Sequence, residues 1–149
     1  MPSTRKSEAT ERSARRGVVR LLEKELFCEL RPSKIHGIGV FAIRAIPKGI
    51  DPLVSHFKSS EVFVSHRSVK TLPSSVLKLL RVFCFHDKKG YLLPSKGLNV
   101  VSMAVYLNHS KKPNLKMLKN GRFKALCNIK KNTELTMDYD DSFGEEHKF

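Results

Sequence analysis

The chain has 149 residues, with 28 Lys and Arg against 14 Asp and Glu, so it carries a formal net charge of +14; 40% of the residues are hydrophobic and nine are Phe. That is one domain of chain, too apolar to stay disordered and long enough to bury a core. Three widely spaced cysteines without a C-x-x-C pair exclude a disulfide scaffold and a cysteine-based zinc module, and no apolar run approaches the ~18 residues of a membrane span.

In chain order, residues 1–17 offer almost nothing to bury and predict a basic, polar tail leading into a short helix near Val18–Glu25. The folded domain is expected over 26–140, with 141–149 as an acidic and aromatic tail. Leu26–Leu30 and Gly39–Ile43 read as two strands with a tight connection, closed by Pro47, Gly49 and Pro52. Val62–Val64 is a further short strand. Ser74 and Ser75 precede Val76, Leu77, Leu79, Leu80 and Phe83, a helical spacing with a candidate N-cap. Tyr91–Leu93 is a short apolar run stopped by Pro94, and Asn99–Leu107 is strand or short helix. Asn120-Gly121 between two apolar runs predicts a hairpin with a type I′ turn. Leu135, Met137 and Tyr139 alternate with polar residues, which predicts a half-buried strand with those three on one face. The fold class is therefore mostly β (α+β), of short strands with one modest helix.

Charge is distributed unevenly. Between residues 32 and 133 the only acids are Asp51, Glu61 and Asp87, and Lys111–Lys131 holds no acid at all. Such a surface is either a solvated face or a contact for a polyanion such as DNA or a nucleosome.

Three segments carry chemistry. In His36-Gly37-Ile38-Gly39-Val40-Phe41-Ala42, a G-x-G at a strand start lets backbone groups approach a ligand that a Cβ would block. It lacks the third glycine and the following helix of a dinucleotide fingerprint. Asn108-His109-Ser110-Lys111-Lys112-Pro113-Asn114 is rich in turn formers, and a Ser adjacent to its His does not make a nucleophile and base pair. The third segment is Glu134-Leu135-Thr136-Met137-Asp138-Tyr139.

In this order, from about Leu26 to Tyr139, the three resemble the SET domain of protein lysine methyltransferases, in the minimal form without cysteine-rich flanks. The resemblance implies a β-clip-like fold with a C-terminal pseudoknot, and S-adenosylmethionine as cofactor. It implies that His36, Gly37, Ile38, Gly39, Asn108 and His109 bind that cofactor, with Phe143 as an aromatic lid. Tyr139 is implied to be catalytic, and Tyr91, Tyr106 and Met137 to line the channel for the substrate lysine. The expected partner is a histone tail or another basic protein, with nucleosome or DNA contact through Lys111–Lys131 and no membrane. No metal is expected, and the expected location is intracellular, in the nucleus, on chromatin or in the cytoplasm.

Two residues depart from the family pattern. Val105 stands where many relatives carry arginine, and Met137 where Phe or Tyr is common, so a catalytically silent SET-like domain that binds nucleosomes or nucleic acid is the competing expectation.

Overall fold

The computed structural model describes residues 3–55, 61–99 and 101–144. The chain divides into two compact units, Met1–Val54 with Tyr106–Phe149, and Ser55–Val105.

The first unit opens with helix α1, Ser3–Glu25. It replaces the tail expected over 1–17. Ala, Arg, Glu and Leu are strong helix formers, and Glu11 pairs with Arg15 one turn on at 2.6 Å, so the helix forms without a buried face. Every residue from Glu8 to Lys24 is exposed. At its C-terminal end Arg44 donates to the Glu23 carbonyl and lies 4.3 Å from the centroid of the Phe27 ring.

Strands β1 (Cys28–Pro32) and β2 (Ile38–Ala42) then form an antiparallel ribbon, Leu30 opposite Val40. Four short strands follow in the sequence of this unit: β5 (Asn108–His109), β6 (Leu115–Met117), β7 (Phe123–Ala125) and β8 (Glu134–Met137). The sheet order is β1-β2-β8-β6-β7, with β5 also paired to β8. The last strand is therefore central, antiparallel to β2 and parallel to both β5 and β6. Neighbours on both edges bury Leu135, Thr136 and Met137 alike, so the expected half-buried alternation is absent. Cys28, Val40, Ala42, Ile46, Leu107, Leu115, Ala125 and Ile129 are the other buried apolar residues of this unit among the described residues. A bridge between Ile46 and Ile129 ties the segments after β2 and β7.

The β6–β7 hairpin forms where Asn120-Gly121 predicted it, but the turn is not type I′. Only Gly121 has positive φ (76°), and Leu118 N–H donates to the Arg122 carbonyl at 2.7 Å around a three-residue loop. The Asn120 side chain accepts from Arg122 N–H instead, which holds its own backbone out of the left-handed region.

The second unit pairs β3 (Glu61–Ser65) with β4 (Gly90–Pro94) and carries α2 (His66–Val69) and α3 (Ser74–Phe83). Pro73 occupies the N-cap of α3 without a side-chain cap bond, so the expected serine cap does not form. Val69, Leu80, Cys84 and Tyr91 make its core. The Asn99–Leu107 run yields a 3₁₀ turn over Met103–Tyr106. Among the described residues no helix is long and apolar enough to cross a membrane.

Candidate active site

The G-x-G segment is held from beneath by a carboxylate. Glu134, the first residue of β8, accepts from Ser33 Oγ at 2.8 and 3.0 Å and from Asn108 Nδ2 at 2.8 Å. Ser33 Oγ in turn accepts from the backbone N–H of Ile35, and Gly37 (φ 49°) makes the turn that follows. Gly39 lies against the same carboxylate: a Cβ there would stand 2.2 Å from Glu134 Oε1, so any side chain would displace the carboxylate from this position.

Asn108 is buried, and its Nδ2 faces three acceptors: the carbonyls of His36 (3.1 Å) and Ile38 (3.3 Å) besides Glu134. An amide NH₂ has two protons. At least one acceptor is left over for an outside donor, and two carbonyls beside a carboxylate suit a cationic one. His36 and Ile38 themselves are exposed, so their carbonyls, not their side chains, build this nest.

The next residue completes the arrangement. His109 Nδ1 accepts from the Tyr139 N–H at 3.1 Å, which puts the proton of the neutral ring on Nε2. Tyr139 does not lie on β8; the strand ends at Met137, and Asp138 caps a short helix α4, Tyr139–Phe143, by accepting from Asp140 N–H at 3.0 Å. That break turns the Tyr139 side chain back, so its hydroxyl donates to the Leu107 carbonyl. Burial pushes its phenol above the usual tyrosine range, so it is protonated at neutral pH. The rings of His109 and Phe143 stand 5.3 and 6.0 Å from that of Tyr139.

Asn114 locks the segment by another route. Its side chain donates to the Glu134 carbonyl at 2.8 Å and accepts from Thr136 N–H at 2.9 Å, so the amide takes the place of a strand residue beside β8. Lys111 pairs with Asp138 and Asp140, and those carboxylates hold its ammonium above the usual lysine range, Asp140 foremost. His109, Asp138 and Asp140 each offer a metal-ligand atom within 4.8 Å of the others, but Lys111 already pairs with both acids and His109 Nδ1 is engaged.

A family model for the SET domain matches residues 37–140, most of the chain. The chain belongs to the SET-domain family. Members of that family are generally protein lysine methyltransferases and typically use S-adenosylmethionine. No curated protein matches the chain in a sequence search. Among the solved structures that match, a Plasmodium falciparum protein described as a "putative histone methyltransferase" is 20% identical, with a TM-score of 0.45 over 79% of this chain and 96% of that one.

Within this SET domain, the remaining expected residues fall in different places. Met137 is buried on β8 opposite His109, and Tyr106 is half-buried at the end of the 3₁₀ turn. Val105 lies on the same turn. Tyr91 belongs to the core of the second unit, between the rings of His66 and His86 at 5.0 and 5.4 Å. Of the basic residues in 111–131, three are already engaged: Lys111 as above, Lys116 with Asp141 at 3.0 Å, and Arg122 with Asp51 at 3.2 Å. Residues 145–149, the end of the expected tail, lie outside the described residues. Sequence reasoning missed Ser33, Glu134 and Asn114 as parts of the site. For Glu134 and Asn114 the signal was their fixed place in the two polar motifs, whereas Ser33 lies outside all three.

Proposed function

We propose that this protein is an S-adenosylmethionine-dependent protein lysine N-methyltransferase whose substrate is a histone tail or another basic protein segment. One observation carries the reading. Three consecutive residues, Leu107 to His109, supply the carbonyl that meets the Tyr139 hydroxyl, the amide tied to the G-x-G segment, and the ring that receives Tyr139 N–H.

S-adenosylmethionine supplies a methyl group on a positively charged sulfonium. The spare acceptor among the His36 and Ile38 carbonyls and Glu134 suits the ammonium of its methionyl part, and the rings of His109, Tyr139 and Phe143 suit its adenine. Transfer to an amine is an in-line displacement that needs alignment and little covalent help. The Tyr139 hydroxyl and the Leu107 carbonyl form a polar pair able to orient the incoming amine and to make weak C–H···O contacts with the methyl. Because burial keeps its phenol protonated, with that proton on the Leu107 carbonyl, Tyr139 offers its oxygen as an acceptor for the amine N–H rather than acting as a base at neutral pH. The substrate lysine, of ordinary pKa about 10.4, therefore gives its proton to water before the transfer.

The test is incubation with methyl-labelled S-adenosylmethionine and a panel of core histones, beside calorimetry with S-adenosylhomocysteine. Label on a histone lysine is the expected result. Tight cofactor binding without transfer to any histone or basic peptide would leave a silent domain, and no cofactor binding would overturn the reading entirely.

A further inference from the structure

The helix that precedes the SET domain is not absorbed by the catalytic reading. Arg12, Arg16, Arg20 and Lys24 recur at every fourth position of α1 and so share one face, a stripe about 18 Å long at 1.5 Å per residue. All four are exposed, and none has a carboxylate partner among the described residues. The segment 12–22 contains no acid at all. The hairpin cations differ, since Lys116 and Arg122 are spent on Asp141 and Asp51 of the same chain.

The stripe is also fixed in place. Arg44 holds the last turn of α1 through the Glu23 carbonyl while its guanidinium stacks on Phe27, leaving its Nε and Nη2 buried without partners. The helix is thus tethered to the β1–β2 end of its unit at one end and open along its length.

We propose that α1 is an arm that binds duplex DNA through its phosphates, using Arg12, Arg16, Arg20 and Lys24. Charge complementarity sets the sign of the partner. Single-stranded nucleic acid is disfavoured because the helix carries no aromatic residue on which bases stack. A lipid surface is disfavoured by position: Val18 centres the apolar side, and Glu11 and Glu25, seven residues away on each side, share its face and would be pressed against anionic headgroups. A regular duplex backbone matches a straight row of long cationic side chains, and contact through phosphates alone carries no sequence preference.

The experiment is fluorescence anisotropy of the full chain with a short random-sequence DNA duplex over a salt series, without methyl donor, so that it stands apart from the methyltransferase reading. Arg12→Gln, Arg16→Gln and Arg20→Gln together should weaken binding about tenfold or more and make the log–log salt slope shallower by about 2.7, at about −0.9 for each phosphate no longer neutralised. Glutamine has nearly the helix propensity of arginine, and an unchanged far-UV circular dichroism spectrum checks that α1 persists. Should it not persist, the matching triple arginine-to-lysine variant must bind with the wild-type slope. A wild-type slope in the glutamine variant would overturn the proposal. So would loss of binding in a Lys119→Gln, Lys124→Gln variant that spares α1, or preference for phosphatidylserine vesicles over DNA.

Discussion

Replacing Gly39 by alanine tests the carboxylate under the G-x-G segment. The new Cβ would meet Glu134 Oε1 at 2.2 Å and Cδ at 2.8 Å, so the side chain must move. Moving it sacrifices its bonds from Ser33 and Asn108, both at 2.8 Å. A hydrogen bond to a charged group contributes about 1.5–3 kcal/mol, so losing most of two costs roughly 3 kcal/mol. For a chain of this length that is a fall of roughly 6–12 °C in Tm. When Glu134 is itself alanine only the tight 3.1 Å approach to Ser33 Cβ remains, and there Gly39→Ala should be close to neutral, the entropy that alanine saves in a strand offsetting that contact. A double-mutant cycle by urea denaturation followed by circular dichroism therefore gives a coupling of about 3 kcal/mol between the two positions. Additive effects, within about 0.5 kcal/mol, would refute the reasoning.

Tyr139→Phe removes only the hydroxyl that meets Leu107; turnover with histone should fall about 10²-fold, the order for losing one preorganised polar group, while S-adenosylhomocysteine affinity by calorimetry stays within twofold. Asn108→Ala strips the G-x-G carbonyls of their shared donor, so both cofactor affinity and Tm should drop, and an unchanged value of either would contradict the nest around Asn108. Titration with a thiol reagent should modify Cys127 at once, and Cys28 and Cys84 only on unfolding. Burial holds the Cys28 thiol at about 12 against an ordinary 9.0, so the folded state keeps a proton that the unfolded chain loses. That contribution to stability is complete below pH 9.0 and declines as pH rises from there toward 12, and urea midpoints of wild type and Cys28→Ala across that range should converge.

The candidate site could be read from the sequence only where its residues fall within contiguous motifs. The nest around Asn108 and the turn after β8 at Tyr139 lie in the three segments that carry the family resemblance. What could not be read was where periodicity stops. Leu135, Met137 and Tyr139 continue an alternation in sequence, yet the Asp138 side chain captures Asp140 N–H and converts the next residue into the start of a helix. Alternation also fails to show that β8 has neighbours on both edges, which is why Thr136 is buried along with the leucine before it. At the N-terminus the difference has another source: a segment with nothing to bury argues for a tail, whereas α1 rests on propensity and a local ion pair.

The central place of β8 also dictates the order in which the sheet can be assembled. The ribbon of β1 and β2 can zip up locally, but the partner of Val40 is Leu135, nearly the whole domain further along the chain. Until that segment has been synthesised, the outer edge of β2 presents unsatisfied backbone groups, and β6 lacks the neighbour on which Asn114 docks. Closing so long a loop for a four-residue strand makes its insertion a slow step, and an intermediate waiting for it is open to edge-to-edge association. Expression yield of this domain should therefore depend more on temperature and chaperone supply during synthesis than on the stability of the finished sheet.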